Sequence, residues 1–132
     1  MATYFHEPNK HVKGPPVLEV RGRSMIVRPA MSDELDEMVY VLLQLVPPGF
    51  VTSYGAIAKC LGIHPRRVAR ALARNSNPVV VPCHRVIMGD GSLGGYTLGQ
   101  NMKRMLLELE GVVFAGNKVR KEYIVDLSSL CL

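Results

Sequence analysis

Cysteine is scarce: Cys60, Cys83 and Cys131 are the three in 132 residues. An odd number at such wide spacing fits a reducing compartment and argues against a disulfide framework. No cysteine–histidine spacing suggests a structural zinc site, so no metal is expected. Long apolar runs are missing as well. The strongest, near Val39–Val46, is too short to cross a bilayer, and no membrane partner is expected. The first residues, Met1-Ala2-Thr3-Tyr4-Phe5-His6-Glu7, lack the basic start and apolar stretch of a secretory signal. These readings predict a cytoplasmic protein. Neither charge sign dominates: 16 Lys and Arg against 11 Asp and Glu leave a net charge of +5. That excess permits a polyanionic partner without requiring one. A hydrophobic content of 48% with 20% charged residues excludes disorder and fits one compact domain.

Residues 1–16 hold prolines, histidines and a glycine, and read as an irregular arm. Val17 to Arg28 is strand-like and broken at Arg21-Gly22-Arg23-Ser24, which predicts a hairpin. Ser32 is a good helix N-cap, with Asp33 and Glu34 favourable to the helix dipole. Leu35, Met38, Val39, Leu42, Leu43 and Val46 then repeat at helical spacing until Pro47-Pro48-Gly49 stops the helix. Thr52 or Ser53 caps a short second helix through Leu61. Gly62 ends it, and Pro65 opens a third helix running to about Arg74. Two short helices joined by a tight glycine-containing turn are the helix-turn-helix pattern. A further helix is expected over about Gln100 to Glu110, with Met102, Met105, Leu106 and Leu109 inward and Gly111 as its stop. The tail Val112–Val125 looks strand-like and is expected to pair with Val17–Arg28. No internal repeat or interdomain linker is visible.

The chemistry sits in Pro82-Cys83-His84-Arg85-Val86-Ile87, preceded by Val79-Val80-Val81 and followed by a glycine-rich loop ending at Tyr96. A thiol attacks only as thiolate, and a free cysteine, with a pKa of about 8.5, needs a neighbouring base or positive field at neutral pH. His84 is such a base. A Cys–His pair alone is more often a small buried hydrophobe beside a core histidine. The third helix carries Arg66, Arg67, Arg70 and Arg74, with Arg66, Arg70 and Arg74 four apart on one face. On an arbitrary helix this is a solvated basic face. On the second helix of a helix-turn-helix it meets phosphates.

The string Val79–Ile87, followed by Gly91-Ser92-Leu93-Gly94-Gly95-Tyr96, closely resembles the active-site segment of the O6-alkylguanine-DNA alkyltransferases. That family has a Pro-Cys-His-Arg-Val core with a Gly-Gly-Tyr or Gly-x-Tyr loop at this spacing, and the resemblance runs from about Val51 to Gly111. It implies an α/β fold: a mostly helical catalytic domain with a helix-turn-helix and a small sheet or hairpin. Residues 1–30 are then an N-terminal arm and hairpin, and residues 31–132 the catalytic and DNA-binding domain with a C-terminal tail. Many alkyltransferases carry a sizeable N-terminal domain. About fifty residues precede Val51 here, so that domain and any zinc site in it are expected to be absent.

The resemblance implies roles residue by residue. Cys83 accepts the alkyl group, His84 takes its proton through a water, and Glu110 orients His84. Tyr96 faces the base and helps guanine leave. Asn75 holds the turn beside the cysteine while capping a helix end. Tyr54 crowds the phosphate beside the target and helps rotate the nucleotide out. Arg66, in Arg66-Arg67-Val68, matches the arginine that replaces the base in the stack, while Arg67 falls on the family's usual alanine. Thr97-Leu98 stands where Ser-Gly is common, and Leu98 is expected to narrow the pocket. The implied partner is double-stranded DNA carrying O6-alkylguanine, entered from the minor groove by a monomer without cofactor. A related non-catalytic group, the alkyltransferase-like proteins, carries tryptophan where Cys83 stands, and damage binding without chemistry is the alternative. A plain helix-turn-helix regulator with Cys83 in its core is a third, although no dimerisation helix is visible.

Overall fold

The computed structural model describes residues 14–131. The expected arm falls mostly on residues 1–13, outside that range. Strands β1 (Pro16–Arg21) and β2 (Ser24–Pro29) form the predicted antiparallel hairpin, with Arg21 paired to Ser24 across a two-residue turn. Helix α1 covers Ser32–Gln44. Its cap is one residue earlier than expected. Met31 is the N-cap, and Glu34 Oε1 accepts from the Met31 backbone N–H at 2.9 Å. The Glu34 carboxylate thus satisfies the cap residue's own N–H, while no side-chain hydrogen bond caps the first-turn N–H groups as expected of Ser32. Val39, Leu43 and Val46 are fully buried, as the helical spacing requires.

Short strand β3 (Thr52–Ser53) leads into α2 (Tyr54–Leu61), and Ser53 Oγ accepts from the Ala56 N–H at 3.0 Å. Gly62 ends α2 in the left-handed region at φ 67°, a conformation that costs glycine little. Helix α3 (Pro65–Ala73) follows, with His64 Nδ1 accepting from the Arg66 N–H at 3.1 Å. Strand β4 (Val86–Ile87) runs parallel to β3, pairing Thr52 with Val86. Helix α4 (Gln100–Leu109) and the strands β5 (Phe114–Ala115) and β6 (Lys118–Val119) complete the mixed α/β fold. One buried cluster joins α1, α2 and α3 through Val39, Leu43, Ile57, Val68, Ala71 and Leu72 and reaches Cys83. A second gathers Val51, Ile87, Leu107, Val112 and Val119. No helix of the described residues is long and apolar enough to cross a membrane.

Three expectations fail. The tail does not pair with the β1–β2 hairpin: β5 pairs with β6 instead, and Ile124 bridges Val51. A local turn closes at lower entropic cost than a pairing across most of the chain. The inward face of α4 is also different. Lys103 and Leu107 are fully buried, whereas Met102, Met105 and Leu109 are exposed, Leu109 at 78%. Lys103 is buried whole, its ammonium donating to Gly95 O at 3.1 Å, a placement that hydropathy spacing does not register. Finally, Cys60 and Cys131 form a disulfide with Cα atoms 5.1 Å apart, leaving Cys83 as the free thiol. Their separation of 71 residues concealed a pair that the fold brings within bonding range.

Candidate active site

The β3–β4 pairing sets the start of α2 beside the segment that follows Cys83. Residues Cys83–Arg85 form a single 3-10 turn after Pro82, with the Cys83 N–H donating to Val81 O at 2.8 Å. Asn75 ties this segment to the end of α3. Its Nδ2 donates to Val81 O at 3.0 Å, and its Oδ1 accepts from the Asn77 N–H at 3.0 Å. Between them Val79 is held at φ 75°, a left-handed conformation that a β-branched residue adopts only under strong local constraint.

Cys83 and His84 are both buried, at 4% and 1% exposure. His84 Nε2 lies 2.8 Å from Glu110 Oε1. Glu110 also accepts from Arg85, through Nε at 3.1 Å and through Nη2. Arg85 Nη1 donates to Val46 O at 2.9 Å, joining the end of α1 to this network. Gly49 permits the approach: a Cβ there would meet Glu110 O at 3.0 Å.

Burial opposes the charge on Glu110, but the hydrogen bonds from Arg85 and His84 outweigh it and hold the carboxyl below its ordinary range. Burial pushes the His84 imidazole below its ordinary value, only partly countered by Glu110. At neutral pH the pair is therefore a carboxylate and a neutral imidazole. A carboxylate only accepts, so Nε2 carries the ring proton and Nδ1 keeps a free lone pair. Nδ1 is buried without a partner, and so is the Tyr96 hydroxyl. These are the groups that a reacting ligand or water would satisfy.

A cavity of about 540 Å³ opens at the thiol, lined by Tyr54, Arg66, Leu72, Cys83, Met88, Tyr96 and Thr97 among others. Four of the expected site residues, Tyr54, Arg66, Cys83 and Tyr96, thus share one cavity, with His84 and Glu110 paired and Asn75 bracing the approach to the cysteine. Leu98 is 51% exposed and does not line the cavity, so it does not narrow it. The arginines of α3 are divided. Arg66 and Arg70 are exposed, but Arg67 and Arg74 are drawn to Asp36 of α1 at 2.8 and 2.9 Å.

Two groups escaped the sequence reading. Arg85 stood inside the motif, and its position next to His84 was the available signal. Lys103 had no such signal. It is fully buried, donates to Gly95 O at 3.1 Å and sits 5.9 Å from the Tyr54 ring centre. Desolvation lowers its pKa to about 8, partly offset by the attraction of Cys83.

The free thiol of Cys83, the His84–Glu110 pair and the cavity that opens at the thiol form one cluster, and comparison with known proteins places the chain among relatives. A curated methylated-DNA--protein-cysteine methyltransferase of Pyrobaculum aerophilum is 48% identical over 81 residues, 61% of this chain and 54% of that protein. The chain spans about half the length of the curated relatives it matches. The crystal structure of O6-methylguanine-DNA methyltransferase from Pyrococcus kodakaraensis superposes with a TM-score of 0.56 at 47% identity, covering 58% of this chain and 46% of that one. S. pombe Atl1, solved in complex with damaged DNA containing O6-carboxymethylguanine, gives a TM-score of 0.62 at 29% identity, covering 73% and 97%. With residues 34–112 matching the profile of the 6-O-methylguanine DNA methyltransferase DNA-binding domain, the chain belongs to that family.

Proposed function

We propose that this protein reverses O6-alkylguanine damage in DNA by moving the alkyl group onto Cys83, once per molecule and without cofactor. The observation that carries the reading is Cys83 in the wall of a cavity of about 540 Å³, next in sequence to a buried His84 whose Nδ1 is free. His84, held by Glu110, takes the thiol proton through a water, and the thiolate attacks the alkyl carbon. The new S–C bond forms as the C–O6 bond breaks, and guanine leaves as its anion. Tyr96 donates a hydrogen bond to it from a hydroxyl otherwise buried without a partner. The product thioether has no group beside it able to cleave it, so turnover stops at one.

The O6 atom of a stacked guanine is out of reach of a buried thiol, and the nucleotide must rotate out. Arg66, at the cavity edge and the start of α3, takes the vacated place in the stack from the minor-groove side. Tyr54 crowds the neighbouring phosphate, and Arg70 contacts the backbone. A single copy carries every reacting group, which supports action as a monomer.

The test is intact-protein mass spectrometry after exposure to a duplex containing O6-methylguanine. The expected result is the gain of one methylene, localised to Cys83. Repeated turnover, or folded protein that binds the duplex without an adduct, overturns the reading. The second outcome would establish damage binding without transfer.

A further inference from the structure

Helix α1 offers α3 a polar seam. Ser32, Asp36 and Tyr40 are spaced four apart, on one face of α1. Ser32 O accepts from Arg67 Nη2 at 2.7 Å, and its Oγ from the same atom at 3.1 Å. Asp36 accepts from Arg67 Nη1 at 2.8 Å, and from Arg74 Nε and Nη2 at 2.9 Å each. Tyr40 donates its hydroxyl to Ala71 O at 2.6 Å. Arg74, with its side chain 50% exposed, pairs with the same carboxylate from the open side, while the side chains of Arg67 and Asp36 are only 11% and 14% exposed. An ion pair so shielded, with most of its polar atoms satisfied, is not readily exchanged for a contact in water. Were Arg67 to turn to a phosphate, it would leave Asp36 half-served in a desolvated position.

We propose that Asp36 is a positioning residue for α3, keeping Arg67 and Arg74 off the DNA and fixing the angle at which Arg66 and Arg70 are presented. This rests on the function proposed above. Among the described residues Arg66 and Arg70 make no ion pair, so the phosphate-facing charge of α3 is two guanidiniums, where the sequence counts four.

The experiment is the salt dependence of binding to an undamaged duplex, followed by fluorescence anisotropy, for the parent, Arg67→Ala and Asp36→Asn. Each cation on a phosphate contributes about 0.9 to the slope of log K against log salt. Arg67→Ala is expected to keep the parent slope. Asp36→Asn, which releases two guanidiniums, is expected to steepen it by about 1 to 2. It is also expected to slow transfer from duplex at saturation several-fold, while transfer from free O6-benzylguanine stays at the parent rate. A slope about 1 shallower in Arg67→Ala would place Arg67 on a phosphate and overturn the inference. So would folded Asp36→Asn with the parent slope, since a purely structural ion pair would change the melting temperature alone. If Asp36→Asn fails to fold, Arg67→Ala decides. A parent protein that binds no duplex at any salt concentration overturns instead the function on which the inference rests.

Discussion

Glu110 serves two partners, Arg85 and His84, and in the proposed reaction the second is the one that acts on the thiol. Its carboxylate keeps the proton of His84 on Nε2 and makes the free Nδ1 a better base. Glu110→Gln is therefore expected to slow alkyl transfer roughly 100-fold at neutral pH, the lower end of what a general base contributes. Glu108→Gln is the control, because Glu108 only pairs with Arg104 on the exposed side of α4, at 2.7 Å. Transfer rate against pH for the three proteins checks the assignment. A Glu110→Gln profile that matches the parent would move the activating field to another group, with Lys103 the first to test. Cys83 beside His84 was legible because the two are adjacent in the chain, whereas Glu110, 26 residues from His84, was legible only through the family resemblance. Lys103 was not legible, because a buried lysine looks like a surface residue until its partner, Gly95 O, is placed against it.

Among the elements, α2 and α3 were legible to within a residue or so, because Ser53, Gly62 and Pro65 act on backbone within one turn. What α3 faces was not legible. The stripe Arg66, Arg70 and Arg74 obeys helical spacing, yet Arg74 is held by Asp36, 38 residues away. Arg66 is the arginine of α3 that also lines the cavity. Arg66→Ala should accordingly slow transfer from duplex by tenfold or more, about 1.4 kcal/mol in the barrier. It should leave transfer from free O6-benzylguanine nearly unchanged, since a free base needs no rotation out of a stack. Equal slowing with both substrates would show that Arg66 shapes the pocket rather than replacing the base. Asp36 adds an acid-dependent effect on stability. The two guanidiniums outweigh its burial and hold its carboxyl below the ordinary range. The stabilisation is thus present above about pH 4 and is lost as the pH falls through the depressed folded value.

Across the whole molecule, the disulfide joins the end of α2 to the C-terminal segment that sets Leu127 into the core. Cross-linking a loop of this size restricts the unfolded chain and contributes about 2–4 kcal/mol. Cys131→Ser should lower the melting temperature by roughly 10 °C for a chain of this length. A reductant should reproduce that fall in the parent and add nothing in the variant. An unchanged parent melt under reductant would count against any stabilising part for the bond. Chain-distant pairs of this kind lie beyond reach of local sequence patterns, as do Arg67 with Asp36 and Val51 with Ile124.

The same bond leaves Cys83 as the free thiol of the oxidised protein, and in the proposed reaction that thiol is the one consumed. A preparation can then be calibrated like a chemical standard. A labelled alkyl donor taken to completion reports moles of competent protein directly, with no second cysteine to inflate the figure. For the single-turnover transfer proposed here, the natural unit of activity is a concentration, not a rate.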